Sequence, residues 1–146
     1  DVADAVAKML AAQGKRRMVV PAGLSAEWLP AAFEFVVDDG MSSAALDAFD
    51  GVMTGSTVAI AMTGTVILQN VPGQGRRAVT LVPDYHLCVV KAADVVETVP
   101  QAMERLSGTA ELTTTFFSGP SATADIEMTR IKGVPGPRHL DVILVV

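Results

Sequence analysis

The strongest constraint on this chain is a repeated exchange between short β-rich runs and short amphipathic stretches, punctuated by Gly, Pro and capping residues. Val2, Val6, Met9 and Leu10 recur at helical spacing, and Gly14 with Lys15-Arg16-Arg17 gives a helix exit before Met18-Val19-Val20-Pro21. Ser25 caps a short helix through Trp28 that Pro30 closes, and Phe33-Glu34-Phe35-Val36-Val37 is the next strand candidate, ending at Asp38-Asp39-Gly40. Ser42 or Ser43 starts a helix carrying Leu46 and Phe49, whose exit at Gly51 leads into Val52-Met53-Thr54. Strand, helix, strand in this rhythm predicts right-handed crossovers that build a parallel sheet with helices on both faces.

The middle of the chain changes character. Val58 to Met62 and Thr65 to Gln69 are strand candidates interrupted at Thr63-Gly64, and Ala78 to Val82 and His86 to Lys91 follow, separated by Pro83-Asp84-Tyr85. Four strands in succession predict an antiparallel or mixed portion of the sheet. Thr98 and Gln101 stand at capping-box spacing with Pro100 in the first turn, predicting a helix through Met103 to Leu106. Thr113 to Phe117 reads as a β-branched and aromatic strand, and Leu140 to Val146, the most apolar run, as an interior strand.

With 146 residues, half of them apolar, residues 1–146 form a single α/β domain able to bury a core without disulfides or metals. The formal charge of −5, with basic residues in short clusters such as Lys15 to Arg17 and Arg76-Arg77, argues against a nucleic-acid partner. Cys88 is the single cysteine and lies in the apolar stretch Leu87-Cys88-Val89-Val90, which reads as inert core. Together with His86 and His139 it is too small a set for an iron–sulfur cluster or zinc site, each of which takes about four ligands. No metal is expected on this chain, and any redox role calls on a partner's cofactor. No run of about eighteen apolar residues and no basic region leading into an apolar segment occurs, so the expected location is the cytoplasm. The chain opens on a helical pattern at Asp1 rather than on Met, and the natural protein is expected to extend further toward the N-terminus.

Thr113 to Phe117 runs straight into Ser118-Gly119-Pro120-Ser121-Ala122-Thr123-Ala124-Asp125. Ligands of open α/β sheets bind beyond the carboxyl ends of strands, where Gly119 lets the backbone approach and the Ser121 and Thr123 hydroxyls face an anion such as a phosphate or carboxylate. An ordinary Gly-Pro turn with Ser121 as a helix cap accounts for the same residues. Asp125 and Glu127 project to one side of an extended segment, as an acid–base pair would; on a helix they part company and are solvated carboxylates. Thr63-Gly64-Thr65 is either a polar pocket floor or a hairpin. Arg138, in the stiff loop Gly133-Val134-Pro135-Gly136-Pro137-Arg138, is a candidate anion clamp near Arg130 and Lys132, or a surface charge. His86 begins a strand and His139 precedes another, so each is a candidate proton carrier, although a lone His at a strand edge is more often structural. No nucleophile–His–acid signature, Walker loop or dinucleotide fingerprint occurs.

Four blocks, Ile60-Ala61-Met62-Thr63-Gly64-Thr65-Val66, Leu81-Val82-Pro83-Asp84-Tyr85-His86, Ser118 to Glu127 and Gly133 to Arg138, come in the order of the LUD-domain family, of the lactate utilization protein C type, and the chain from about Gly51 onward resembles it. The string Ser-Gly-Pro-Ser-x-Thr-Ala-Asp-Ile-Glu carries most of the specificity. The resemblance implies a three-layer α/β/α fold like that of NagB, ribose-5-phosphate isomerase and CoA transferases. It implies a role in converting L-lactate to pyruvate beside iron–sulfur partner subunits, which would hold the clusters. Many relatives have an acidic residue where Met62 stands and a histidine where Pro135 stands, so chemistry resting on either is missing here. Three readings stay open: an accessory subunit binding a small anion or partner subunits, a stand-alone enzyme on a phosphorylated or CoA-like substrate, and a binding or regulatory module.

Overall fold

The computed structural model describes residues 2–75, 79–80, 82–109, 112, 114–118 and 139–145. With strands and helices numbered in chain order, β1 (Arg17–Val20), β2 (Glu34–Val37), β3 (Gly51–Thr54), β6 (Tyr85–Lys91) and β9 (His139–Val145) form a sheet in the order β2-β1-β3-β6-β9. Every pairing in it is parallel. A second sheet, in the order β7-β4-β5-β8, joins β4 (Val58–Ile60), β5 (Thr65–Gln69), β7 (Val95–Val96) and β8 (Thr114–Ser118) in mixed orientation. The expected α/β fold with a mostly parallel sheet and a mixed portion is therefore what forms.

Helix α1 (Val2–Gln13) lays Val6 and Leu10 on one face of the parallel sheet, against Met18, Val20, Met53, Tyr85, Leu87 and Val89. It ends where Gly14 takes φ 68°, so that Lys15 N–H reaches the Leu10 carbonyl at 2.9 Å. Helix α2 (Ser43–Asp47) covers the opposite face, with Leu46 and Phe49 on Val19 and Val52, and the Ser42 hydroxyl caps it by accepting from Ala45 N–H at 3.2 Å. Beside α2 the second sheet packs on that same face, Ala59, Val66 and Leu68 meeting Cys88, Val90 and Leu140. Helix α3 (Val99–Leu106) closes the outer side through Ala102 and Leu106 on Val58, Ile60 and Ile67. Its start carries the expected capping geometry, Gln101 Oε1 accepting from Thr98 N–H at 3.1 Å.

Three expectations change. Val79 and Thr80, read as part of a strand from Ala78 to Val82, are helical; Val79 is buried against Val19, Leu46, Phe49 and Val52, so its apolar character serves the layer covering the sheet. The short helix at Ser25 is one 3-10 turn, Ala26–Trp28, and the Ser25 side chain makes no capping bond. Among the described residues the final apolar run lies at the edge of the parallel sheet: β9 pairs there with β6 alone, and Val142 and Leu144 are 38% and 55% exposed. Its hydrophobicity serves two half-buried faces, Leu140 against the second sheet and Ile143 against the α1 layer.

Candidate functional site

The chain passes from β1 outward to β2 by way of the 3-10 turn, then returns through α2 to β3 on the other side of β1. Consecutive connections thus diverge between the carboxyl ends of β1 and β3, the place where an open parallel sheet leaves room for a ligand. A crevice of about 290 Å³ lies there. Gly23, Ser25 and Trp28 line it from the β1 exit, Gly55 and Ser56 from the β3 exit, and Val89 and Lys91 from the end of β6. Segment 71–75 straps the two exits together. Gly55 N–H donates to the Gly73 carbonyl and Gly73 N–H to the Ala22 carbonyl, both at 2.8 Å.

Behind the crevice runs a file of buried polar groups. His86, fully buried between the two sheets, has its Nε2 2.7 Å from the Thr54 hydroxyl and its ring edge-on to Phe117. Burial pushes the imidazole down to about 3, so it is neutral at physiological pH and does not carry protons there. The Cys88 thiol beside Thr54 is pushed up to about 12 by burial and donates to the Gly55 carbonyl at 3.6 Å. The Ser56 hydroxyl bonds the Val89 carbonyl at 3.3 Å, tying the β3 exit to β6. Inert core is thus the right reading of Cys88, and a structural one of His86.

Thr63-Gly64-Thr65 makes the turn of the β4–β5 hairpin, with Gly64 at φ 63° and the two threonine hydroxyls 2.8 Å apart. Antiparallel pairing sets Ser118 opposite Thr65, so these two separated motifs meet at one end of the second sheet. That end is not the crevice. Gln69, at the other end of β5, is tied to the crevice by its N–H bond to Gln74 Oε1, and it lies four strand steps from Thr65, about 13 Å. Gly119, Pro120, Ser121, Thr123, Asp125, Glu127, Pro135 and Arg138 lie outside the described residues. Among the described residues the crevice lining takes nothing from the most distinctive string. The small-residue exits Pro21-Ala22-Gly23 and Gly55-Ser56, read with the parallel sheet already expected, are the signal that marks it.

A second polar cluster occupies the opposite, amino-terminal edge of the sheet, where Tyr85 stands beside His139. The Tyr85 hydroxyl donates to Asp141 Oδ2 at 2.7 Å, and His139 Nε2 lies 3.0 Å from Asp141 Oδ1. Burial and the neighbouring carboxylate raise the phenol above its ordinary range. The cluster clamps β9 onto β6, far from the crevice. Tyr85→Phe is expected to lower unfolding free energy by about 1 kcal/mol, the size of one such hydrogen bond, in a urea titration.

A parallel sheet with layers on both faces and a crevice at its point of reversal defines an open, doubly wound α/β protein. A family model described as the LUD domain matches residues 35–145, and the chain belongs to that family. It is 45% identical over 144 residues to "Lactate utilization protein C" of Deinococcus radiodurans, which covers 97% of this chain and 67% of that protein. It is 38% identical over 90 residues to the protein of the same name from Shouchella clausii, 58% of this chain and 39% of that one. A crystal structure of a DUF162 family protein from Deinococcus radiodurans superposes with a TM-score of 0.84 at 39% identity, over 99% of this chain and 82% of that chain. The chain thus spans two thirds of the first relative's length and well under half of the second's. Among the described residues no helix is long and apolar enough to cross a membrane.

Proposed function

We propose that this chain works in lactate utilization as a cluster-free subunit, holding a small anionic ligand in the crevice while iron–sulfur clusters reside on partner subunits. The crevice at the β1/β3 reversal carries the reading, because Lys91 lines it and no carboxylate does among the described residues. A single cysteine in 146 residues supports placing the clusters elsewhere. The register of Ser118 opposite Thr65 supports treating Thr63 to Thr65 and the segment from Ser118 through Glu127 as one polar locus, which we assign to contact with those partners. Within it Asp125 and Glu127 are the proposed acidic pair, and Arg138, later in the sequence, is the proposed anion clamp.

Deleting the gene is expected to slow growth on L-lactate while leaving growth on pyruvate intact, with the tagged protein from lactate-grown cells bringing down cysteine-rich partners. Normal growth of the deletion strain on lactate would reject the assignment.

A further inference from the structure

We propose that the β1/β3 crevice is a carboxylate site, with the Gln74 amide and the Lys91 ammonium taking the charged end of a short organic acid and Trp28 covering its apolar end. This rests on reading the crevice as the ligand site and adds to it the chemical class of the ligand.

Gln74 lines the crevice although it is only 8% exposed. Its Oε1 accepts from Gln69 N–H at 2.7 Å and from the Thr57 hydroxyl at 2.8 Å. A backbone N–H can only donate, so the amide cannot be turned round, and Nε2 must be the other end. That nitrogen carries two N–H groups with no partner among the described residues. Among the described residues of the lining, Lys91 is the charged side chain and no carboxylate is present, which favours an anionic oxygen ligand.

Charge alone would suit inorganic phosphate. Leu24, Trp28 and Val89 make the remainder of the lining apolar, so the ligand carries a hydrocarbon part as well as an anion. A volume of about 290 Å³ leaves room for a short organic acid.

Trp28 is the only tryptophan in the chain, so its fluorescence reports occupancy of the crevice directly. L-lactate and pyruvate are titrated against the wild-type protein, with lactamide and inorganic phosphate as comparisons and calorimetry in parallel. Saturable response to the two acids, and at least tenfold weaker binding of lactamide and phosphate, is expected. Gln74→Glu keeps the Oε1 acceptor that Gln69 and Thr57 need and replaces only the donor end, so it should fold and lose at least about tenfold in affinity. Lys91→Met, at an exposed position, should lose a similar factor. Equal binding of lactamide or phosphate, unchanged affinity in Gln74→Glu, or no response to either acid by both methods would overturn the proposal. The role in lactate utilization is read separately: a Gln74→Glu gene that restores full growth of the deletion strain on lactate sinks the carboxylate site and leaves that role standing.

Discussion

Gly23→Ala is expected to cost about 3 kcal/mol of stability and to abolish the Trp28 response to any crevice ligand. Gly23 has φ +90°, a region that side-chain-bearing residues reach only under strain. An added Cβ would also stand 2.6 Å from Pro72 Cβ and 3.1 Å from Gly73 N. Neither neighbour can swing aside, because Gly73 is held to both the Ala22 carbonyl and Gly55 N–H. The clash must therefore push the strap off the β1 exit, or push the exit off the sheet. Gly40→Ala is the matching control, with φ +97° and nothing within 4 Å of the new carbon. It should show the backbone term alone, about 1 kcal/mol. Paired urea titrations give both numbers; equal losses in the two variants would show that the strap does not press on Gly23.

The second large effect is acid destabilisation through His86. Folded, the ring is held down to about 3 by burial, whereas in the unfolded chain it has its ordinary value near 6.5. Between those two values the unfolded chain binds a proton that the folded one refuses. Stability from this group is therefore complete above about pH 6.5 and falls as pH drops toward 3, by about 1.4 kcal/mol per unit. At pH 4.5 the loss should be about 2–3 kcal/mol. Asp50 adds to the acid loss only lower down: its carboxylate accepts from Arg16 and Arg17 N–H at 2.9 and 3.0 Å, which holds it below the usual 3.8. A His86→Leu variant should flatten the profile between pH 6.5 and 4.5 by one proton, measured as unfolding free energy across that range. An unchanged slope would mean the ring charges without unfolding the inter-sheet core.

Much of this architecture could be read from residue order, because local signals and tertiary packing agree there. The Gly14 exit, the Ser42 cap, the Thr98/Gln101 start and the β5 span Thr65 to Gln69 all stand where periodicity and turn chemistry put them. What could not be read is which strands belong to which sheet. Tyr85 to Lys91 follows the β4–β5 hairpin in sequence, yet six of its seven residues are buried and it returns to pair with β3. An apolar run does not encode its neighbour. The same limit applies to β9, whose apolar run reads as interior although, among the described residues, one strand flanks it. For the site, a distinctive string drew attention to Ser118 and beyond, while Gly23, Ser56, Gln74 and Lys91 are ordinary residues individually. They converge only because three excursions of the chain end at one edge of the sheet.

Those excursions also set the order in which the molecule can assemble. Tyr85 and His139, partners across the β6–β9 ladder, are separated by 54 positions, and β7, α3 and β8 are all spelled out between them. Closing that ladder first would enclose a long unstructured loop at high entropic cost, whereas forming the second sheet beforehand shortens the effective span. β9 is therefore expected to join the parallel sheet after the second sheet has formed. During synthesis the exposed edge of β6 must wait for β9 to leave the ribosome, and until then the β1/β3 crevice rests on a sheet that lacks that strand.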